Sequence, residues 1–196
     1  MDAKGKLAKQ LAEKLEIPDI WAEVRKALLQ IPRGKVTSYK AIALALGDER
    51  AARAIARLLP NNPELDKVPC YKVVHSDGRI GGYVLGIEEK IRRLRAEGIG
   101  VKNGKAENFK NLLFADFKLR SILRELQAEQ IKIARKVKLK PLTLDGIELV
   151  GGVDIAYLSE NAIAAAVVLD KQMNLVEKKV VISRVSFPYI PTYLAY

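Results

Sequence analysis

The side chain best suited to covalent chemistry in this sequence is Cys70, the only cysteine among 196 residues. A cysteine is a strong nucleophile only as the thiolate, which requires a positive field, a helix N-terminus or a nearby base. Arg53 precedes it, and Gly81 and Gly82 follow it in a stretch whose missing side chains leave room for a flat ligand. A lone cysteine beside a proline is often an inert buried residue, so these neighbours carry the prediction of a reactive thiol.

The single histidine, His75, raises a second kind of site. A Cys/His hydrolase would need the imidazole to meet the Cys70 thiol, whereas an extended segment would separate the two by roughly 16 Å. One cysteine and one histidine also cannot form a structural zinc site, and one cysteine cannot form an internal disulfide. We therefore expect a reducing, intracellular setting and place the protein in the cytoplasm.

Charge and hydropathy narrow the class of protein further. The chain carries 34 Lys+Arg against 23 Asp+Glu, a formal net charge of +11, and such a field attracts polyanions, most often nucleic acid. Plain solubility is the alternative explanation of that charge. The first residues lack the apolar stretch of a secretory signal, and no apolar run is long enough to cross a bilayer, so we expect no membrane association.

Short helices precede Cys70 in the predicted fold. Leucines at every fourth position indicate an amphipathic helix at 7–15, and residues 21–31 form a second helix. Thr37 or Ser38 can cap a third helix, which Gly47 is placed to close.

A fourth helix follows after a brief turn, at residues 51–59. Its spacing directs Ala52, Ile55 and Leu59 inward and leaves Arg53 and Arg57 outward. Two short helices of which the second presents arginines indicate a helix-turn-helix.

Beyond this pair the pattern changes from helices to strands. It predicts an extended segment at 68–74, a helix at 88–97 and a longer helix over 108–136. Three strands rich in Val, Ile and Ala follow at 148–157, 162–169 and 175–187. Because residues 164–169 are continuously apolar, we predict an antiparallel sheet that must be covered on both faces. We also predict that this sheet ends in an edge strand that needs a pairing partner.

Residues 21–99 resemble the O6-alkylguanine-DNA alkyltransferases, which are suicide DNA-repair proteins. The motifs that carry the resemblance are IPRGKVTSY at 31–39, ARA at 52–54, NP at 62–63, VPC at 68–70, SDG at 76–78 and GGY at 81–83. The related alkyltransferase-like binders replace the acceptor cysteine, and this chain retains it.

The resemblance implies a role for each matching residue. Cys70 receives the alkyl group irreversibly, Arg53 takes the place of the flipped base, and Tyr39 presses on the backbone phosphate. Asn62 resembles a hinge between the recognition helix and the active-site loop, and Glu97 orients a proton relay. The other implied residues are Ser38, Arg57 and Lys72 on the DNA-binding face, and Tyr83, Val84, Gly82 and Val73 around the base pocket.

The chain departs from the family beside the thiol. Tyr71 stands where the family usually has a histidine that, with water and Glu97, draws the thiol proton away. A phenol has a pKa of about 10 and is a poor base at neutral pH, although it can relay a proton by accepting and donating at once. Lys72 replaces an arginine, and Val84 replaces a small hydroxyl residue that bonds the substrate oxygen.

Residues 119–196 resemble the amino-terminal part of endonuclease V, which nicks DNA near deaminated bases. The matching runs are LVGGVDIAY at 149–157, AAAVVLD at 164–170 and VSFPYIP at 185–191. Asp154 matches the first metal-binding aspartate, and Tyr189 lies in the strand-separating wedge at 188–191. Magnesium-assisted cleavage needs several carboxylates, and the family's next glutamate would follow beyond Tyr196. We therefore expect no endonuclease activity from the chain as it stands.

Together these patterns predict an α+β protein that resembles archaeal fusions of the two modules. A helical helix-turn-helix alkyltransferase domain spans 1–100, a linker and helix start span 101–118, and an incomplete, mostly antiparallel ribonuclease H-like sheet spans 119–196. Expected partners are double-stranded DNA containing O6-alkylguanine, deaminated DNA, and a second copy through the incomplete sheet. Alkyl transfer would need no cofactor, and Mg²⁺ would serve only a completed endonuclease module.

Two alternatives to alkyl transfer remain at this point. The first is a non-enzymatic protein that binds alkylated guanine and recruits other repair factors. The second is a plain helix-turn-helix DNA-binding protein whose cysteine is structural.

Overall fold

The computed structural model describes residues 18–139, 145–158, 161–185 and 187–193. They fall into two compact units, one formed by residues 18–134 with 189–193 and the other by the described residues between 135 and 188. The helix predicted at 7–15 lies outside the described residues. Mixed helices and small sheets agree with the predicted α+β class.

The described residues of the first unit form six α-helices, one of them only four residues long, and two small sheets. The helices are α1 Ile20–Leu29, α2 Tyr39–Leu46, α3 Ala52–Leu58, α4 Ile87–Ala96, α5 Phe109–Leu112 and α6 Ile122–Ala134. Short 3₁₀ turns lie at Glu49–Ala51, Leu59–Asn61 and Cys70–Lys72. The strands are β1 Thr37–Ser38, β2 Val73–Val74, β3 Val101–Lys102 and β4 Lys105–Ala106.

The ends of α2 follow from the sequence signals. Of the two candidate caps, Ser38 is the one used, because its hydroxyl accepts a hydrogen bond from the Ala41 N–H at 3.0 Å. Gly47 ends the helix with φ 114°, in the left-handed region that favours glycine. The 3₁₀ turn after it leads into α3, so α2 and α3 form the predicted helix pair.

The burial of α3 differs in one detail from the prediction. Ala54, Ile55 and Leu59 are buried, while Ala52 is only half-buried and lines a cavity described below. Arg53 and Arg57 are exposed, as the spacing predicted.

Replacing Gly47 by alanine is expected to lower the free energy of unfolding by about 2 to 4 kcal/mol. An added Cβ would lie 2.8 Å from Cγ and 2.9 Å from the backbone nitrogen of Arg124 on α6. Urea denaturation measures the loss. Gly98→Ala is the matched control, because Gly98 also has a positive φ of 84° but an added Cβ there meets nothing within 4 Å. Equal losses at the two positions would contradict the steric explanation.

A parallel pairing brings the start of α2 beside the cysteine segment. β1 pairs with β2 through Thr37 with Val73 and Ser38 with Val74. Because Tyr39 follows β1 and Cys70 precedes β2, the pairing places these two side chains in one region. Next to it a buried cluster forms the core that supports β2: Val36, Val74, Ile80, Leu94, Ile99 and Ala106.

Residues 101–118 are part of the first unit and do not form the predicted linker. β3 and β4 form an antiparallel hairpin, and the Ile80 N–H donates to the carbonyl of Gly104 at 2.9 Å. Val36 then bonds the following stretch on both sides, donating to the Leu112 carbonyl at 3.0 Å and accepting from the Phe114 N–H at 2.7 Å. Apolar packing and backbone pairing therefore hold this stretch on the domain.

The long helix predicted over 108–136 is two helices, α5 and α6. The backbone between them is extended where Leu113 forms a parallel bridge with Val36, and an extended residue cannot continue a helix. The compact unit also runs on through α6 to residue 134, so the boundary lies at 134/135 and not at 118/119.

The second unit is an antiparallel meander, as predicted. Its strands are β5 Leu149–Leu158, β6 Asn161–Asp170 and β7 Leu175–Arg184, in the order β5-β6-β7. Asp154 pairs with Ala165, and Ala165 pairs with Val180. β5 and β7 are exposed along their whole length. Among the described residues, therefore, nothing buries the apolar faces that the sequence predicted to be covered.

No helix in the described part of the chain combines the length and the apolar character that a membrane span requires.

Candidate active site

Cys70 begins a 3₁₀ turn and is 4% exposed. Asn62, which ends the preceding 3₁₀ turn, faces it: its Nδ2 donates to the Cys70 Sγ at 3.3 Å and to the Val68 carbonyl at 3.1 Å. Its Oδ1 accepts from the Glu64 N–H at 3.0 Å. One buried amide therefore ties the end of the recognition-helix segment to the thiol and to the backbone that carries it.

A second network begins at Tyr71, the residue after the thiol. Its hydroxyl donates to Glu97 Oε1 at 2.5 Å, and Glu97 Oε2 accepts from the Gly34 N–H at 3.0 Å and from Lys72 Nζ at 2.8 Å. Burial alone would raise the pKa of Glu97, but the bonds from Lys72 and Tyr71 outweigh it and lower that pKa. Glu97 is therefore an anion with both oxygens occupied.

Tyr71 cannot act as a base in this network. Burial, and then its bond to Glu97, raise the pKa of the Tyr71 phenol far above its usual range. The ring is also held in place, with the Arg93 guanidinium 5.7 Å from its centroid and the Tyr83 ring at 6.5 Å, edge to face. Tyr71 is thus a fixed hydrogen-bond donor to Glu97.

A cavity of about 600 Å³ opens beside the thiol. Six of the sequence-predicted site residues line it: Tyr39, Arg53, Cys70, Gly82, Tyr83 and Val84. Its remaining lining is Lys40, Ala52, Ala56, Leu59, Pro60, His75 and Ser76. The Tyr83 hydroxyl oxygen is buried and has no hydrogen-bond partner among the described residues. Since a buried polar group is normally satisfied, this hydroxyl is available to a ligand in the cavity.

Three predicted site residues do not lie where the prediction put them. Lys72 is 5% exposed, because Glu97 and the Pro32 carbonyl, at 3.1 Å, draw its ammonium inward, so it does not reach DNA. The Ser38 hydroxyl is buried as the cap of α2, and Val73 is fully buried and absent from the cavity lining. Arg57, expected on the DNA-binding face, is exposed on α3.

The sequence analysis missed Lys90 on α4. It is 1% exposed, and its ammonium donates to the carbonyls of Val73 at 2.7 Å and Gly82 at 3.2 Å. Burial lowers the pKa of Lys90 to about 8, and the nearby charge of Cys70 opposes that shift. The signal was its position four residues before Leu94, which places a lysine on the buried face of an amphipathic helix.

His75 was dismissed as a hydrolase partner, yet it lines the same cavity. Its ring lies 5.7 Å from the ring of Tyr39, tilted by 58°. Gly81 makes room for it, because a Cβ there would lie 2.8 Å from Nε2. His75 therefore supports the side of the cavity that Tyr39 forms.

Two family models match the amino-acid sequence of this chain. Residues 19–99 match the family model of the 6-O-methylguanine DNA methyltransferase, DNA binding domain, and residues 131–196 match that of Endonuclease V. The two matches lie one after the other along the chain. The methyltransferase match ends at residue 99, although the compact unit that contains it continues to residue 134.

Relatives with the same combination are archaeal. A bifunctional methyltransferase/endonuclease of Picrophilus torridus is 42% identical over 179 residues, covering 91% of this chain and 58% of the relative. A bifunctional methyltransferase-like/endonuclease of Nanoarchaeum equitans is 31% identical over 194 residues, covering 95% of this chain and 58% of the relative. The chain thus spans less than two thirds of the curated relatives that it matches.

A solved structure of Mycobacterium tuberculosis OGT in complex with DNA is similar to the methyltransferase part. It has 39% sequence identity and a TM-score of 0.40, and the match covers 43% of this chain and 51% of that one.

The endonuclease V segment contains Asp154 on β5 and Tyr189 after β7. Asp154 is exposed, and its Oδ1 accepts from the N–H of the next residue, Ile155, at 2.8 Å. Within the described ranges no group of three or more His, Cys, Asp or Glu side chains could hold a metal ion. A single exposed carboxylate does not suit Mg²⁺, which needs several oxygen ligands in octahedral geometry. Tyr189 is 58% exposed.

Proposed function

We propose that the methyltransferase domain transfers an alkyl group from O6-alkylguanine in double-stranded DNA to Cys70, in a single irreversible turnover. The observation that carries this proposal is the cavity, because it places the thiol, Arg53 of the recognition helix and Tyr39 around one space. An extruded base fits such a pocket, and an arginine can fill the place that it leaves in the duplex.

The transfer is a displacement at the alkyl carbon. The Cys70 thiolate attacks this carbon, a sulfur–carbon bond forms, and the bond from carbon to the guanine O6 breaks with its electron pair on the base. The departing guanine then takes up a proton, and Cys70 remains as a thioether. No cofactor is needed for this balance, and a reducing cytoplasm would keep the thiol free beforehand.

Two polar groups interact with Cys70. The Asn62 amide donates to the sulfur, and a hydrogen bond from a donor is stronger when its acceptor is charged. The Lys90 ammonium is buried where its charge interacts with that of Cys70. In a site shielded from water, such an interaction is stronger than at the surface.

We propose that the thiol proton leaves through Tyr71 and Glu97. Tyr71 can accept a proton on its hydroxyl oxygen only while it passes its own proton to Glu97 Oε1, to which it is already bonded. This relay supports the role proposed for Tyr71, although Glu97 is a weak acceptor because Lys72 and Gly34 also stabilise its anion.

Mass spectrometry tests the proposed function directly. The protein is incubated with a duplex oligonucleotide containing O6-benzylguanine, and one benzyl group is expected on Cys70 and none on Cys70→Ala. Lesion-specific binding without an adduct would favour the non-enzymatic binder. Binding with no preference for the lesion would favour a plain helix-turn-helix protein.

Replacing Tyr71 by phenylalanine is expected to slow benzyl transfer by about tenfold or more, since general acid–base groups contribute at least that much. The ring stays in contact with Arg93 and Tyr83, so the affinity for lesion-containing DNA should not change. Single-turnover rates at saturating protein measure the effect. An unchanged rate would show that the proton leaves by another route.

For the part of the chain that matches Endonuclease V we propose no catalytic activity. The described residues do not provide a magnesium site, so no cleavage step is assigned to them. Recognition of deaminated DNA stays a prediction, as does self-association through the exposed strands β5 and β7. Size-exclusion chromatography over a range of protein concentrations would test the second of these.

A further inference from the structure

Residues 190–193 pack against the turn that leads into α3. Ile190 and Tyr193 are 1% and 8% exposed. The Tyr193 hydroxyl donates to Asp48 Oδ2 at 2.8 Å and to the Leu123 carbonyl at 3.4 Å. Gln127 on α6 also donates to Asp48 Oδ2, at 2.8 Å. The segment is therefore seated between the turn of the helix pair and α6, within the first unit.

Arg50 is held by Asp48 and also contacts this segment. Its guanidinium binds both oxygens of Asp48, with Nη2 at 2.6 Å from Oδ2. The same guanidinium donates to the Thr192 hydroxyl and lies 5.8 Å from the centroid of the Tyr193 ring. The bonds from Arg50 lower the pKa of the Asp48 carboxyl to about 2, so both partners are charged at neutral pH.

The position of Arg50 links this contact to DNA binding. Arg50 lies in the 3₁₀ turn that leads into α3, and Arg53 and Arg57 on that helix follow it by three and seven residues. Both of them are exposed. A stripe of arginines on a recognition helix binds DNA phosphates, and Arg50 would extend that stripe by one turn if its guanidinium were free.

We propose that residues 190–193 and double-stranded DNA compete for Arg50, so that DNA binding by the recognition helix displaces the segment. This inference rests on the proposed DNA binding of the first unit. Residues 190–193 belong to the part of the chain that matches Endonuclease V, so this part would oppose DNA binding by the neighbouring helix.

A double-mutant cycle tests the competition with undamaged duplex DNA, so alkyl transfer is not involved. Tyr193→Ala removes the ring over Arg50 and the hydroxyl on Asp48, and is expected to tighten binding about fivefold and to steepen the salt dependence by about one unit. Arg50→Ala should change the parent affinity less than twofold but cancel most of the gain in the Tyr193→Ala background. Additive effects of the two substitutions would overturn the proposal.

Arg53→Ala is the matched control, because it should weaken binding equally in both backgrounds. No effect of Arg53→Ala in either background would mean that the helix does not bind DNA, which contradicts the proposed function and with it the competition.

Hydrogen exchange on the unmodified protein gives a second measurement that does not depend on a variant folding. With saturating duplex DNA, the amides of Ile190, Thr192 and Tyr193 are expected to exchange at least several times faster than without it. Equal protection in both states, while the amides of α3 become protected, would overturn the proposal.

Discussion

Replacing Lys90 by methionine is expected to slow alkyl transfer by about 100-fold, since one preorganised polar group in a buried site contributes about 100- to 1000-fold. The methionine retains the volume and apolar length of the lysine but removes the ammonium that interacts with the Cys70 thiolate. It also leaves the carbonyls of Val73 and Gly82 without their donor. Single-turnover rates and lesion affinity, measured separately, distinguish slower chemistry from weaker binding.

The charge of the Lys90 ammonium also predicts how the transfer rate depends on pH. Because the pKa of Lys90 is lowered to about 8, the transfer rate should fall as the pH rises through 8, where a simple thiol would react faster. Lys90→Met should lack this fall. Lys67→Met is the matched control, since the Lys67 side chain is 80% exposed, and it should keep the parent profile. A parent rate that rises steadily to pH 10 would contradict the role of Lys90.

Stability should follow the opposite trend. Between pH 8 and the ordinary lysine pKa of about 10.4, the unfolded chain binds a proton at Lys90 that the folded protein does not bind, so the free energy of unfolding increases with pH. The lowered pKa corresponds to about 3 kcal/mol that the buried ammonium removes from stability below pH 8. Urea denaturation at pH 7 and pH 10 should show this increase in the parent, and a smaller one in Lys90→Met.

Replacing Asn62 is expected to have the second large effect, and two variants separate its two functions. Asn62→Ala removes the bonds to Val68, Glu64 and the Cys70 sulfur. Because the Glu64 N–H then loses its acceptor and the Val68 carbonyl keeps only the Cys70 N–H as donor, the free energy of unfolding should fall by about 1 to 3 kcal/mol. Asn62→Asp keeps the acceptor for the Glu64 N–H but loses the donor to the sulfur and brings a carboxylate next to it.

We expect Asn62→Asp to slow transfer more than Asn62→Ala, because a negative charge beside the sulfur opposes the thiolate. Transfer rates measured on the folded fraction, together with urea denaturation, separate chemistry from stability. Asn61→Ala and Asn61→Asp are matched controls, since Asn61 is adjacent and exposed. If Asn62→Asp reacted as fast as the parent, the Asn62 amide would have only a structural role, holding the backbone at Val68 and Glu64.

Local signals predicted much of the helical part correctly. Ser38 caps the start of α2 and Gly47 caps its end, as the sequence predicted, because a helix cap depends on a few neighbouring residues. The strands β5, β6 and β7 also agree with their Val- and Ile-rich runs. The errors occurred where distant residues compete for the backbone. Val36 pairs with Leu112 and Phe114, and this pairing interrupts the predicted long helix and turns the predicted linker into part of the domain.

The sequence likewise predicted some residues of the candidate site correctly and the positions of others incorrectly. The order of its motifs identified Cys70, Arg53, Tyr39 and Tyr83, which the cavity does bring together. The direction of a long flexible side chain could not be predicted from its neighbours along the chain. Lys72 has the residue type of a DNA contact, but Glu97, far away in sequence, draws its ammonium inward.

The amino-acid sequence by itself indicated the candidate nucleophile, the helix that approaches it and the resemblance to two families, because these depend on residue types at set spacings. Only the tertiary structure decided the electrostatics of the thiol. Tyr71 donates to Glu97, Lys90 is buried beside the cavity, and Arg50 contacts residues 190–193. Each of these depends on how far a charge lies from water and from residues remote in sequence, and folding alone sets both distances.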